Sequence, residues 1–284
     1  ATQRRRITVD RLGNIGVLAC GQHVIHAFHT AFLPSIARLM KSFYGTKYII
    51  TTHGSDLTYF EQDKRFVGLL KDANREAKFI TACSDFTKNM YVKMFGESLR
   101  RKSMTVVGGV NLKHYKKDPL QIEKINKLYN LQGKKVVLFT GRLTKHKGVQ
   151  FLVSAAKQIN GTVLVVGDGP EKQHLLAEIA KKNITNVILT GYINNKEPIY
   201  HAFYERADVY VSPSTWAEPF GLTIIEAMAA RTPVVATNKG GIRSIISDKQ
   251  NGILIPSRNS SAIAEKVNQL LADDRLRAKI GDEA

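Results

Sequence analysis

Apolar residues fall into short unbroken runs through the second part of the chain and into mixed runs through the first. From Gly133 onward, "KKVVLFTGRL", "TVLVVGDGP", "NVILTGYI", "DVYVSPS", "TPVVAT" and "NGILIP" read as strands. Between them, "KGVQFLVSAAKQI", "EKQHLLAEIAKK", "KEPIYHAFYERA", "GLTIIEAMAA" and "SSAIAEKVNQLLAD" repeat apolar positions at helical spacing. Strands that are apolar throughout and separated by helices predict a parallel sheet covered on both faces. The second part is therefore expected to be a doubly wound α/β domain whose strand C-termini carry the ligand loops. The first part repeats the pattern less completely. "HVIHAF", "KYIITTHG", "KFITACS" and "SMTVVGG" are four strand candidates, with "NIGVLAC" as a fifth. The polar stretch "NLKHYKKDP", residues 111–119, reads as a connection, which divides the chain into domains at 1–117 and 118–284.

Composition narrows the class. The 284 residues suffice for two ordinary domains, and 43% hydrophobic content is normal for globular protein. No apolar run approaches the roughly 20 residues needed to cross a bilayer, and no leader pattern opens the sequence. The two cysteines, Cys20 and Cys83, have neither disulfide-framework nor metal-ligand spacing and read as buried thiols of a reducing cytoplasm. The net charge is +18, and it is uneven. Residues 1–117 hold 20 Lys and Arg against 8 Asp and Glu; residues 118–284 hold 22 against 16. Such an excess suits phosphate groups, acidic lipid or nucleic acid, or simply a solvated basic surface.

The loops after the strands carry the candidate chemistry. In "GRLTKHKG", Gly141 permits a tight turn, and Arg142 and Lys147 place two cations beyond the strand end, a combination suited to a diphosphate. "VVGDGP" follows the next strand, with Gly167 and Gly169 allowing close backbone approach; its spacing fits neither a P-loop nor a dinucleotide fingerprint. "LTGYI" ends the third strand, where Gly191 could expose backbone groups to a flat ligand such as a base. The segment "EPFGLTIIEAMAA" places Glu218 and Glu226 around a turn and the start of a helix near Phe220, Gly221 and Leu222. Free N–H groups at that helix start attract anions. A carboxylate there would repel phosphate, so the two glutamates are expected to accept hydrogen bonds from paired hydroxyls, Glu218 from a sugar and Glu226 from a ribose. A solvated helix glutamate is the plain alternative for Glu226, weakened by its apolar neighbours. In "TTHGSD", His53 ends a strand before a glycine and can reach a ligand. His23, His26 and His29 tempt a metal reading, but strand alternation splits them between faces and no acidic ligand stands near.

Together these motifs resemble the retaining glycosyltransferases of family 4. "GRLTKHKG" is similar to the family's donor-phosphate loop, "EPFGLTIIE" to its E-x7-E signature, and "TTHGSD" to the segment carrying its active-site histidine. "GDGP", "TPVVAT", Gly240-Gly241 and "NGILIP" follow in the family's order, and "GGVNLKHY" resembles its exit from the first domain. The resemblance runs from about His23 to the end. It implies a GT-B fold: two Rossmann-like doubly wound domains facing a cleft. It implies transfer of a sugar from a nucleotide-diphosphate donor with retention, without a protein nucleophile, a metal or another cofactor. The catalytic residues it implies are His53, Arg142, Lys147 and Glu218. Donor contacts fall to Gly141, Gly167, Gly169, Gly191, Tyr192, Phe220, Gly221, Leu222 and Glu226. UDP is the commonest donor base in that family, with GDP and ADP also used. The family's glycine-rich GGxxxH loop has no firm counterpart in "RLGNIGVLACGQH", where Gly13 and Gly16 stand nearest, and the chain stops at "RAKIGDEA" before the family's crossing helix. The N-terminal domain is thus expected to be reduced and both ends shortened, which favours a partner chain or a homo-oligomer.

A glycan or lipid-linked acceptor fits this reading, as does a cytoplasmic protein whose basic first domain, Arg4 to Arg6 included, touches an anionic membrane from the inner face. The second reading is a nucleotide-sugar-binding remnant that needs a partner subunit for turnover. Nucleic-acid binding explains the charge but not the two glutamates, and ranks below both.

Overall fold

The structure, a computed structural model, describes residues 17–20, 24–28, 32–62 and 65–284. It separates into two compact units, Ala1–Gly108 and Gly109–Ala284. The readings made for Arg4 to Arg6, Gly13, Gly16, His23 and His29 lie outside the described residues.

In the first unit, strands β1 (Val17–Cys20), β2 (Val24–Phe28), β3 (Lys47–Thr52), β4 (Phe79–Ala82) and β5 (Ser103–Thr105) form one sheet in sequential order. β1 runs antiparallel to β2, and the remaining neighbours are parallel. Helices α1 (Leu33–Tyr44), α2 (Ser55–Gln62), α3 (Arg65–Glu76) and α4 (Asp85–Phe95) make the connections. Buried residues alternate with partly exposed ones along β2, β3 and β4. Ile25, Ala27, Tyr48, Ile50 and Ile80 enter a core with Ala37, Leu57, Phe60, Tyr91 and Phe95 from the helices. These strands form one wing of a wound sheet, packed on one face by its own helices.

The second unit opens with α5 (Pro119–Tyr129), continues through β6 (Val136–Thr140), α6 (Val149–Ala155), β7 (Thr162–Val166), α7 (Lys172–Lys181) and β8 (Val187–Gly191), and then α8 (Pro198–Arg206). It closes with β9 (Val209–Ser212), α9 (Leu222–Ala229), β10 (Val234–Thr237), β11 (Ile253–Ile255), α10 (Ser260–Ala272) and α11 (Asp274–Asp282). All six strands are parallel, in the order β11-β10-β9-β6-β7-β8. The chain winds outward from β6 through β8, then returns to β9 and winds the other way. This is the doubly wound pattern expected from the unbroken apolar runs. Alternate residues feed two cores. Val137, Phe139, Val163, Val165, Val209 and Val211 face α6, α7 and α10, whereas Val136, Leu138, Leu164, Val166 and Tyr210 face α5, α8 and α9. No helix of the described residues is long and apolar enough to cross a membrane.

The division between units falls nine residues before the expected boundary at 117/118. The stretch read as the connection is grouped with the second unit. Residues Leu112–Tyr115 form a 3-10 turn, and Tyr115 is buried among Tyr204, Phe203 and Ile125. The backbone N–H of Asp118 donates to Glu205 at 2.9 Å. Asp118 then caps α5 by accepting from Leu120 and Gln121, with Pro119 preset for the first helical turn.

The winding reversal leaves the loops after β6 and β9 side by side, and the loop after β7 locks against the first. At Gly167 (φ +145°) a Cβ would sit 1.9 Å from the carbonyl oxygen of Gly141. Gly167→Ala is therefore expected to cost about 2–4 kcal/mol through strain and overpacking. Urea unfolding measures it, and an unchanged midpoint would contradict the packing described.

Candidate functional site

Three loops meet at the C-terminal ends of β6, β7 and β9, and backbone hydrogen bonds lace them together. Gly141 N–H donates to Val166 O at 3.0 Å, Leu143 N–H to Asp168 O at 2.9 Å, and Thr215 N–H to His146 O at 2.8 Å. Beside them opens a cavity of about 420 Å³, lined by Gly141, Arg142, Gly167, Asp168, Tyr192 and Asn195, with Val166, Ile193 and Tyr200 completing the wall. That volume lies within the range of small-molecule sites. A parallel sheet places its ligand cavity where its winding reverses, and this one opens beside that point.

An ion pair joins the β6 loop to the β9 loop. Lys147 Nζ donates to Glu218 Oε1 at 2.7 Å, and Ser214 Oγ donates to the same oxygen at 2.6 Å. Glu218 is only 7% exposed. Burial alone would push its carboxyl up, but the Lys147 charge and the hydrogen bonds outweigh burial and hold it below the ordinary value. The turn carrying Glu218 is braced from behind: Gly241 N–H donates to Glu218 O at 2.6 Å, and a Cβ on Gly241 would lie 2.2 Å from Pro219 O. Trp216 covers the pair. Its ring lies 4.8 Å from that of His146, and Lys147 Nζ stands 6.0 Å from the indole centre. Burial lowers the pKa of His146, and the neighbouring Lys147 adds to the effect.

Glu226, on α9, has different company. Tyr204 Oη donates to its Oε2 at 2.5 Å and Tyr200 Oη at 3.2 Å. Burial is the larger influence and raises its pKa, against these phenols and the nearby Tyr115. The residue is neither a solvated helix glutamate nor one set among purely apolar groups.

The residues chosen from sequence divide into groups. Gly141, Arg142, Gly167 and Tyr192 line the cavity, and Arg142 is exposed and makes no ion pair among the described residues. Lys147, the second cation of that loop, is ion-paired with Glu218 at 2.7 Å. The expected close approach at Gly167 and Gly169 is to protein backbone, Gly141 and Leu143 respectively. At Gly191, whose backbone groups were expected to be open to a flat ligand, the carbonyl accepts from Gly167 N–H at 2.9 Å. Gly221 is the residue before α9, Leu222 begins it, and Phe220 is buried. His53 belongs to the first unit, directly after β3, where it is exposed and stacks 6.3 Å from Phe28; Asp56 shapes its turn by accepting from Gly54 N–H at 2.8 Å. Asp168, Asn195, Ser214, Trp216, Tyr200 and Tyr204 were not among the residues chosen. For Tyr200 and Tyr204 the signal was present: four residues apart, they share a helix face. Among the described residues no three His, Cys, Asp or Glu converge as a metal site would require.

Comparison with known proteins bears on this geometry. Residues 121–284 match the family described as Glycosyl transferases group 1. An uncharacterized glycosyltransferase of Methanocaldococcus jannaschii is 27% identical over 276 residues, covering 97% of this chain and 73% of the relative. The crystal structure of Anabaena HepE in complex with UDP is similar with a TM-score of 0.83 at 23% identity, covering 92% of this chain and 72% of that one. Sucrose-phosphate synthase from Thermosynechococcus elongatus gives a TM-score of 0.77 at 26% identity, covering 93% and 68%. The fold is GT-B, as the motif order implied.

The two glutamates should respond to pH with opposite signs. Glu218 has a lowered pKa, so its contribution is present above the ordinary value of 4.5 and fades as pH falls through the folded value. Glu226 has a raised pKa, so its ionised form costs stability at neutral pH, and the cost is gone below about 4.5. Glu218→Gln is expected to lower Tm at pH 7, and Glu226→Gln to raise it, with the second difference vanishing near pH 4. Shifts of the same sign at pH 7 would contradict these environments.

Proposed function

The chain belongs to the glycosyl transferases group 1 family, and from that premise we propose that it transfers a sugar from a UDP-linked donor to a glycan or lipid-linked acceptor. We place it with the retaining enzymes of family 4. The observation that carries this reading is the cavity beside the winding reversal, with exposed Arg142 on its wall and the Lys147–Glu218 pair in the adjoining loops. Support for UDP comes from the similarity to HepE, whose structure contains it.

The chemistry follows from charge placement. Breaking the bond between the sugar C1 and the β-phosphate oxygen leaves negative charge on the diphosphate, and groups fixed before the reaction stabilise it best. Arg142 offers a planar fork of donors. Lys147 has three N–H groups, of which Glu218 engages one, so phosphate oxygens can take the others without breaking the pair. The acceptor oxygen forms its bond to C1 on the face the phosphate leaves, and its proton passes to the departing phosphate oxygen. No protein nucleophile enters the scheme, nor does a metal. Glu218 accepts sugar hydroxyls with the lone pairs that Lys147 and Ser214 leave, and Glu226 accepts from the ribose.

Purified chain is expected to turn over a UDP-sugar in the presence of sugar acceptors, to be unaffected by chelator, and to yield a product with the donor's anomeric configuration by NMR. Arg142→Ala should lower kcat/KM about 10²–10³-fold. UDP binding without any turnover would favour a subunit that needs a partner chain, and failure to bind any nucleoside diphosphate would overturn the proposal.

A further inference from the structure

Glu226 terminates a line of buried hydroxyl groups that crosses the second unit from sheet to helix. Tyr210, on β9, lies 3.3 Å through its hydroxyl from Thr140 Oγ1 on β6. Thr140 Oγ1 lies 2.6 Å from Tyr204 Oη on α8, and Tyr204 Oη lies 2.5 Å from Glu226 Oε2 on α9. Tyr200, one turn before Tyr204, is 3.1 Å from the Tyr204 hydroxyl and 3.2 Å from the same carboxylate oxygen. Tyr204 and Tyr210 are at most 1% exposed and Thr140 is 3% exposed, so water does not compete along the line.

Proton counting fixes its direction. Each hydroxyl has one hydrogen to give, and an ionised carboxylate can only accept. With Tyr204 donating to Glu226, Thr140 donates to Tyr204, and Tyr210 donates to Thr140. Every dipole then points at the carboxylate, and hydrogen bonds aligned head to tail strengthen one another in a poorly solvated interior. Tyr204 and Tyr200 both end on Oε2, and Tyr115, from the turn before α5, hydrogen-bonds the same carboxylate. Tyr200 also lines the cavity, so the line reaches the wall a ligand would touch.

We propose that Tyr200, Tyr204 and Thr140 are positioning residues that hold Oε2 of Glu226 against α8 and so orient its carboxylate for the ribose hydroxyls of the donor nucleotide. The inference rests on the reading of Glu226 as the ribose acceptor given above. A carboxylate on a helix otherwise rotates about three side-chain bonds. The two phenols select one rotamer before the ligand arrives, which cuts the ordering cost of binding. They also replace part of the hydration that burial strips from the ionised group, whose pKa is already raised.

The test is calorimetric titration of the full chain with UDP and with 2′-deoxy-UDP, across pH 4.5 to 8. Wild type should prefer UDP about tenfold, and Glu226→Ala should bind both equally. Tyr204→Phe and Thr140→Val should each reduce the preference several-fold while leaving 2′-deoxy-UDP affinity near wild type, and Tyr200→Phe, which also alters the cavity wall, should reduce the preference as well. Because Tyr204→Phe removes a donor from the carboxylate, its UDP binding should fall away at higher pH than in wild type. Thr140→Val touches neither Glu226 nor the cavity wall and stands in if the tyrosine variants do not fold. A wild-type preference that Glu226→Ala abolishes and all three variants retain, with an unmoved acid limb, would overturn the positioning role alone. No preference in the wild type would overturn the ribose role of Glu226, and the positioning role would fall with it.

Discussion

The contact between Lys147 and Glu218 is the one on which the site depends. It joins loops that leave the sheet from β6 and β9, strands far apart in sequence and neighbours only because the winding reverses between them. A carboxylate buried to 7% exposure needs a partner, and a buried ammonium or carboxylate left alone is costly. The β6 loop is thereby held at one distance from the turn that opens α9. Ser214 fixes the acceptor oxygen, Trp216 covers the ammonium, and the backbone of Gly241 supports the turn from beneath. On the proposed reading, a phosphate entering beside Lys147 would meet a cation already oriented by its carboxylate, so little reorganisation would remain.

The two glutamates, eight residues apart, show how one helix start can hold carboxylates of opposite character. Glu218 is stabilised as an anion by a full positive charge. Glu226 receives only phenolic hydrogen bonds and sits where the charged form is disfavoured. A group held charged against its environment stores a cost that a ligand's hydroxyls can relieve. That is the usual relation between a binding site and the stability of the fold that carries it.

Much of this was legible in the sequence, for physical reasons. Strands buried on both faces must be apolar throughout, so the second sheet announced itself in runs such as "VVLFT" and "VLVV". The loops after those strands carried Gly141, Arg142, Gly167 and Tyr192 to one cavity because parallel winding always brings strand C-termini together. Pairing was what the sequence concealed. Lys147 and Glu218 are 71 residues apart, and nothing local says that one neutralises the other. The glycines of "GDGP" were ambiguous because close approach to a ligand and close approach to a neighbouring loop demand the same residue. The segment 111–119 read as a connection because it is mostly polar, and its anchor, Tyr115, is shown to be buried only by the folded unit.

The most direct test of the account uses the protein's own reporter. Trp216 is the single tryptophan of the chain, and it packs over Lys147 and beside His146. Its emission should change saturably on titration with UDP and stay unchanged with uridine, because the phosphates and not the nucleoside engage Lys147. Equal responses to UDP and uridine, or no response to UDP at millimolar concentration, would contradict the claim that this loop pair forms the diphosphate site.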